Sequence, residues 1–156
     1  MSRFLEEAKR FVMQSFSSRS EVGEPFDMRY FFQRSHTLSP PAKDEIEKAL
    51  SELGRDGILD EESRITALGI DTYYPIDKAD IRRLLLSFMQ GNRMKKDDAV
   101  DFRLVIHQIV LSNGFGSRQK KVLFDEVFPS LVSEGLLDNL GEGAYFLTQK
   151  GYESLY

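Results

Sequence analysis

The sequence has no cysteine and no tryptophan among its 156 residues. Without cysteine there is no disulfide framework, no thiolate nucleophile and no Cys-based zinc site. No apolar run approaches the roughly 20 residues that a bilayer-spanning helix needs. The opening Met-Ser-Arg-Phe-Leu-Glu-Glu carries charges where a secretory signal needs an unbroken apolar stretch. A cytoplasmic protein with no membrane association is expected. Histidine is as scarce: His36 and His107 fall in different halves, and no triad suggests itself. Asp97, Asp98 and Asp101 cluster where a helix start favours carboxylates through capping and the helix dipole. Gly114-Phe115-Gly116-Ser117 lacks both the third glycine of a dinucleotide loop and a Walker Gly-Lys-Ser/Thr. The expectation is a non-enzymatic protein with no catalytic residue, no metal and no cofactor.

Charge is present in quantity but unevenly placed. The net charge is -4 overall. Residues 1–78 hold 11 Lys/Arg against 15 Asp/Glu, and 79–156 hold 10 against 10. Within the second half, 82–121 carry nine basic residues and three acidic ones, whereas from 122 onward Lys150 faces six acids. Overall acidity argues against a chain that coats nucleic acid indiscriminately, because non-specific affinity is mostly phosphate neutralisation. A local basic surface remains compatible with it.

The chain also repeats itself. Gly57-Ile58-Leu59-Asp60 returns as Gly135-Leu136-Leu137-Asp138, 78 residues on, and Ile46, Ala49, Leu50 and Leu53 match Phe124, Val127, Phe128 and Leu131 at the same spacing. Ile65-Thr66-x-x-Gly69 returns as Leu147-Thr148-x-x-Gly151 after 82, and Phe4, Ala8, Phe11 and Val12 match Ile81, Leu85, Phe88 and Met89 after 77. Two copies of one unit, 1–76 and 77–156, account for these matches.

Each copy can be read locally. Apolar stripes predict first helices over 3–16 and 79–90. Ser17 to Pro25 reads as a polar loop, and Asp27 as the N-cap of an aromatic-rich helix, Met28 to Arg34. Its counterpart should start near Asp97 or Asp98 and run to the break at Asn113-Gly114. A third helix follows Ser39-Pro40-Pro41, proline being tolerated in a first turn, and ends by Gly54 or Gly57. In the second copy Pro129 would clash with the carbonyl of Asp125 inside a regular helix, so that helix either starts near Asp125 or kinks there. Short strands, Gly57–Asp60 and Gly135–Asp138, then pair with return strands Arg64–Thr66 and Ala144–Thr148. Their turns are Glu61-Glu62-Ser63 and Asn139-Leu140-Gly141-Glu142-Gly143. Phe26, Tyr30, Phe31 and Phe32 are read as core, and Tyr145, Tyr152 and Tyr156 either as a dimer or inter-unit interface or, in preference, as packing of the hairpin on the first helix. The fold class is mainly α with short β-hairpins.

The order helix, helix, helix, hairpin resembles the winged-helix domain. The likeness is carried by Leu131-Val132-Ser133-Glu134-Gly135-Leu136-Leu137-Asp138 and Gly143-Ala144-Tyr145-Phe146-Leu147-Thr148-Gln149-Lys150-Gly151-Tyr152. These resemble the ending of many bacterial winged-helix regulators, and the first copy is a degraded version. The resemblance implies two tandem winged-helix domains that bind double-stranded DNA, with the third helix in the major groove. In the second domain the contacts would then come from Ser117, Arg118, Gln119, Lys120 and Lys121: Arg118 on a guanine edge or phosphate, Gln119 on adenine, the lysines on phosphates. Arg93, Lys95 and Lys96 would extend that patch, and a homodimer would double a single reading helix. The first domain fits DNA badly. Its third helix and hairpin turn carry Asp44, Glu45, Glu47, Glu52, Asp56, Asp60, Glu61 and Glu62. A tandem chain with one acidic unit also resembles the adaptor versions of the fold, subunits of chromosome-condensing and membrane-sorting complexes that present apolar grooves to a protein partner. DNA binding through the second domain is the leading expectation, and a protein-binding adaptor is the alternative.

Overall fold

The computed structural model describes residues 2–141 and 143–156; Glu142, expected in the second hairpin turn, lies outside them. The described chain is mainly helical with a small two-stranded antiparallel sheet. It divides into two compact units, Met1–Ile76 and Asp77–Tyr156.

In unit 1, α1 (Arg3–Gln14) buries Leu5, Ala8, Phe11, Val12 and Met13. It packs on α4 (Ile46–Arg55), which offers Ile46, Ala49 and Leu53. Between them come α2 (Met28–Arg34) and α3 (Pro40–Lys43). Asp27 caps α2, accepting from the Arg29 N–H at 2.8 Å, and Ser39 caps α3 by accepting from Ala42 N. The third helix is thus two pieces instead of the one expected. The Glu45 N–H closes back on Ala42 O at 3.0 Å, a tight three-residue turn that interrupts the helix while keeping Ala42 and Ile46 both buried.

Unit 2 follows the same plan with α6 (Lys78–Gly91), α7 (Phe102–Val105), α8 (Ser117–Val122) and α9 (Phe128–Ser133). The second helix starts at Asp101, whose carboxylate accepts from Arg103 N at 2.9 Å, and not at Asp97 or Asp98. Those two residues are drawn into the sheet edge instead. The helix continues past α7 as a π-helical stretch, Ile106–Leu111. A second one, Leu123–Val127, joins α8 to α9 and leads directly into Phe128-Pro129. Proline has no N–H to donate, and the wider i→i+5 turns accommodate it without ending the helix. The helix therefore does not start at Asp125, and the π-helical stretch lies where the alternative, a kink, is expected.

The hairpins differ in extent. In unit 2, β1 (Leu137–Asn139) pairs with β2 (Tyr145–Leu147) in the register Leu137↔Leu147, Asp138↔Phe146, Asn139↔Tyr145. In unit 1 the expected strands shrink to one bridge, Leu59↔Ile65, across a turn in which Asp60 accepts from the backbone N–H groups of Glu62 and Arg64.

Two features went unanticipated, and both repeat. The segment before each second helix forms a third edge. Pro25 bridges Arg64, with Gly23 N to Ile65 O at 2.8 Å and Phe26 N to Ser63 O at 2.9 Å. In unit 2 Ala99 bridges Phe146, with Asp97 N to Leu147 O at 2.8 Å and Val100 N to Tyr145 O at 2.9 Å. The supposed loop up to Pro25 therefore ends in paired backbone. A fourth helix also follows each hairpin, α5 (Ala67–Tyr73) and α10 (Gln149–Leu155).

One threonine organises each of these junctions. Thr66 Oγ1 donates to the carbonyl of Gly57 at 2.5 Å and lies 3.0 Å from that of Ile58, while accepting from Gly69 N at 3.0 Å as the N-cap of α5. Thr148 does the same with Gly135, Leu136 and Gly151. The fourth helix thereby sits so close that a Cβ on Gly69 or Gly151 would lie 2.2 Å from the carbonyl oxygen of Ile58 or Leu136. Beyond it, Tyr74 donates to Met13 O at 2.6 Å, and Tyr156 to Met94 O at 3.1 Å.

Gly69→Ala and Gly151→Ala should each lower unfolding stability by about 1–3 kcal/mol. Gly91→Ala, which meets nothing within 4 Å, should be neutral or mildly stabilising. Urea melts of the three variants check this.

Candidate functional site

The start of α8 is where the second unit offers its cations. Ser117, Lys120 and Lys121 are exposed and Arg118 is half-buried. Gln119 is not on that surface: it is 8% exposed, and its Oε1 accepts from the Gly116 N–H at 3.0 Å. Gly116 has no side chain with which to cap the helix, so the glutamine three residues on performs half of a capping box. This corrects the expectation that Gln119 reads a base. The signal was present in the stripe Gln119, Leu123, Val127 and Leu131, all buried.

Arg93, Lys95 and Lys96 are exposed but belong to a different place. The edge segment runs from Asp97, paired with Leu147, to Val100, paired with Tyr145. Residues 93–96 therefore lie at the end of the ladder away from the hairpin turn. Arg93 and Lys95 line a cavity of about 340 Å³ with Gln90, Met94, Tyr152 and Tyr156, and no residue of 117–121 lines it. Tyr152 and Tyr156 meet edge to face at 5.4 Å there, beside the end of α6. Of the eight residues expected in the patch, Gln119 is turned inward and Arg93 and Lys95 line the cavity beside Tyr152 and Tyr156.

The aspartates near α7 are structural. Asp98 Oδ2 accepts from Lys95 N at 2.7 Å and Asp101 caps its helix. Among the described residues no group of three or more Asp, Glu or His could hold a metal ion. No helix of the described chain is long and apolar enough to cross a membrane.

Unit 1 contains a cavity of about 440 Å³ between α2 and the α3–α4 pair. Phe26, Met28, Phe31, Ile46 and Leu50 form its apolar lining, with Lys43, Asp44 and Glu47 on it as well. Of the four aromatics expected in the core, only Phe26 is buried. Tyr30 and Phe31 are half-buried against Phe11, and Phe32 is 72% exposed. Phe32 is displaced outward because α2, only seven residues long, turns the other two rings onto α1. A second hollow of about 360 Å³, lined by Leu50, Ser51, Gly54, Asp60, Glu61 and Ser63, shares Leu50 with the first.

The helix that lines these hollows is held by carboxylates. Glu7 of α1 accepts from the hydroxyl of Ser39 at 2.6 Å and its N–H at 3.2 Å, which keeps the Glu7 carboxyl below its ordinary value of 4.5. Lys9, 3.2 Å from Glu52, lowers Glu52 in the same sense. The Arg64 N–H, together with that of Glu62 and the Arg64 guanidinium, lowers Asp60. Burial pushes the Tyr74 hydroxyl up. No protein-family model, curated protein or solved structure matches the chain.

Carboxylates held below their unfolded values stabilise the fold fully above the ordinary carboxylate pKa and lose that contribution as pH falls through the folded value. Unit 1 should therefore weaken between about pH 5 and pH 3. Glu7→Gln should be less stable at neutral pH and lose less over that interval, measured by denaturant melts along a pH series.

Proposed function

We propose that the chain is a non-enzymatic protein of two tandem winged-helix domains that binds double-stranded DNA through unit 2, in a regulatory role and as a homodimer. The observation that carries this reading is the charge around α8. No Asp or Glu occurs from residue 102 to residue 124, an interval that contains Arg103, Arg118, Lys120 and Lys121. Lys120 and Lys121 are exposed on the opening turns of the helix that a winged-helix domain lays in the major groove. A helix start of this composition can neutralise phosphates without repelling them.

Within this reading Arg118, Lys120 and Lys121 hold the backbone, and Ser117 is the short polar side chain beside them. Gln119 supports the surface from beneath by fixing Gly116. Arg93, Lys95 and Lys96 contribute to the field around unit 2 and not to the helix face. One reading helix supplies little sequence discrimination, and a two-fold dimer would supply two half-sites.

Lys120→Glu with Lys121→Glu should reduce affinity for duplex DNA by at least about a hundredfold at low salt, since each phosphate contact weighs on log affinity. Far-ultraviolet circular dichroism and the melting temperature should not change. Fluorescence anisotropy against a labelled duplex measures the first. Undiminished binding by the folded double variant would contradict the assignment to α8.

A further inference from the structure

The two units can be compared position by position around the cavity of unit 1. In unit 2 four rings fill the space between the second helix, the third helix and the hairpin. Phe102 meets Phe124 at 5.8 Å, Phe128 at 5.7 Å and Tyr145 at 6.0 Å; Phe128 stacks on Phe124 at 5.6 Å and meets Tyr145 at 4.7 Å. The equivalent backbone positions follow from the matched caps and ladders. Asp27 corresponds to Asp101, which pairs Met28 with Phe102. The bond from Phe26 N to Ser63 O corresponds to that from Val100 N to Tyr145 O, which pairs Ser63 with Tyr145. The helix C-terminal bonds from Ile58 N to Leu53 O and from Leu136 N to Leu131 O fix the 78-residue spacing that pairs Leu50 with Phe128.

Unit 1 thus has methionine, leucine and serine where unit 2 has three aromatic rings. Two hollows, about 440 and 360 Å³, flank Leu50. The first is apolar, walled by Met28 and Leu50. The second has Glu61, which is exposed, and Asp60, which Arg64 pairs at 2.8 Å, on its wall. Residues 40–62, which supply most of both, hold eight Asp/Glu against three Lys/Arg. What completes the sister unit is its own phenylalanines and tyrosine.

We propose that unit 1 is a docking site for a basic peptide segment of a partner protein that inserts one Phe or Tyr side chain against Met28 and Leu50 and sets neighbouring Lys or Arg side chains beside Asp60 and Glu61. The ring takes the place that Phe128 and Tyr145 fill in unit 2, and burying it displaces water from apolar surface. The flanking cations meet Asp60 and Glu61 and fix direction. The segment serves unit 1 alone, so this assignment stands or falls separately from DNA binding by α8.

The test uses a fluorescein-labelled peptide with one Phe flanked by lysines in a Gly/Ser background, titrated by anisotropy against the full chain. The same peptide with Ala for Phe, or with Glu for the lysines, should bind at least about tenfold more weakly. Leu50→Phe, which rebuilds the sister unit's filling, should abolish binding while keeping or raising the melting temperature. Glu47→Lys with Glu61→Lys, both exposed positions, should weaken binding about tenfold without touching the core. Equal binding of the Ala peptide, or unchanged binding by both variants, overturns the proposal. So does free phenol binding as tightly as the peptide, which would give the cavity to a small molecule. Concentration-dependent self-association removed by Leu50→Phe would give it to a second copy of the chain, and would overturn it equally.

Discussion

The hydroxyl of one threonine per unit holds the architecture together. Thr66 and Thr148 each stand at the end of a return strand, reach back to two carbonyls at the end of the third helix, and start a fourth helix. Each half-buried hydroxyl has an acceptor for its one proton and a backbone N–H donor for its oxygen, so its hydrogen bonding is satisfied. Because Gly69 and Gly151 follow three residues on, the fourth helix can approach until backbone meets backbone. The strand, the third helix and the fourth helix are thereby fixed together, and the far end is tied by Tyr74 to Met13 of α1 and by Tyr156 to Met94, just after α6. Each unit is closed by short polar links around an apolar centre.

On that shared frame the two copies have diverged in what they expose. Unit 2 fills its interior with Phe102, Phe124, Phe128 and Tyr145 and keeps its third helix basic at the start. Unit 1 has Met28, Leu50 and Ser63 at three of those positions, carries Met28 and Phe32 at the surface, and has Asp44, Glu47, Asp60 and Glu61 beside its two hollows. Charge and side-chain volume differ between the two units, while the hydrogen-bonded junctions stay the same.

Much of this was legible in the residues. The stripes of α1, α4 and α6, the cap Asp27, the prolines opening α3, and the spacing of Gly57 and Gly135 all report local physics that the chain encodes over a few residues. The third sheet edge was not legible, because Gly23 to Phe26 pairs through backbone groups with residues forty positions away and needs no β-branched side chains. The fourth helices are too short and too polar to show a stripe, and they exist because a threonine cap meets a glycine contact. Pro129 suggests a late start or a kink, and one π-helical stretch carries the helix through to it. Gln119 was misread through its chemistry, whereas its register with Leu123 placed it inside. The basic residues were legible as a sum, but their division into the α8 start and the Tyr152–Tyr156 neighbourhood depends on long-range pairing.

The central claim is that the carboxylate-free start of α8 meets phosphate. The most direct measurement is the anisotropy of a labelled random-sequence duplex titrated with the unmodified chain across a salt series. Log affinity should fall linearly with log salt, with a slope near -0.9 for each phosphate neutralised and a total of roughly three phosphates per protomer. No binding even at the lowest salt would contradict the account.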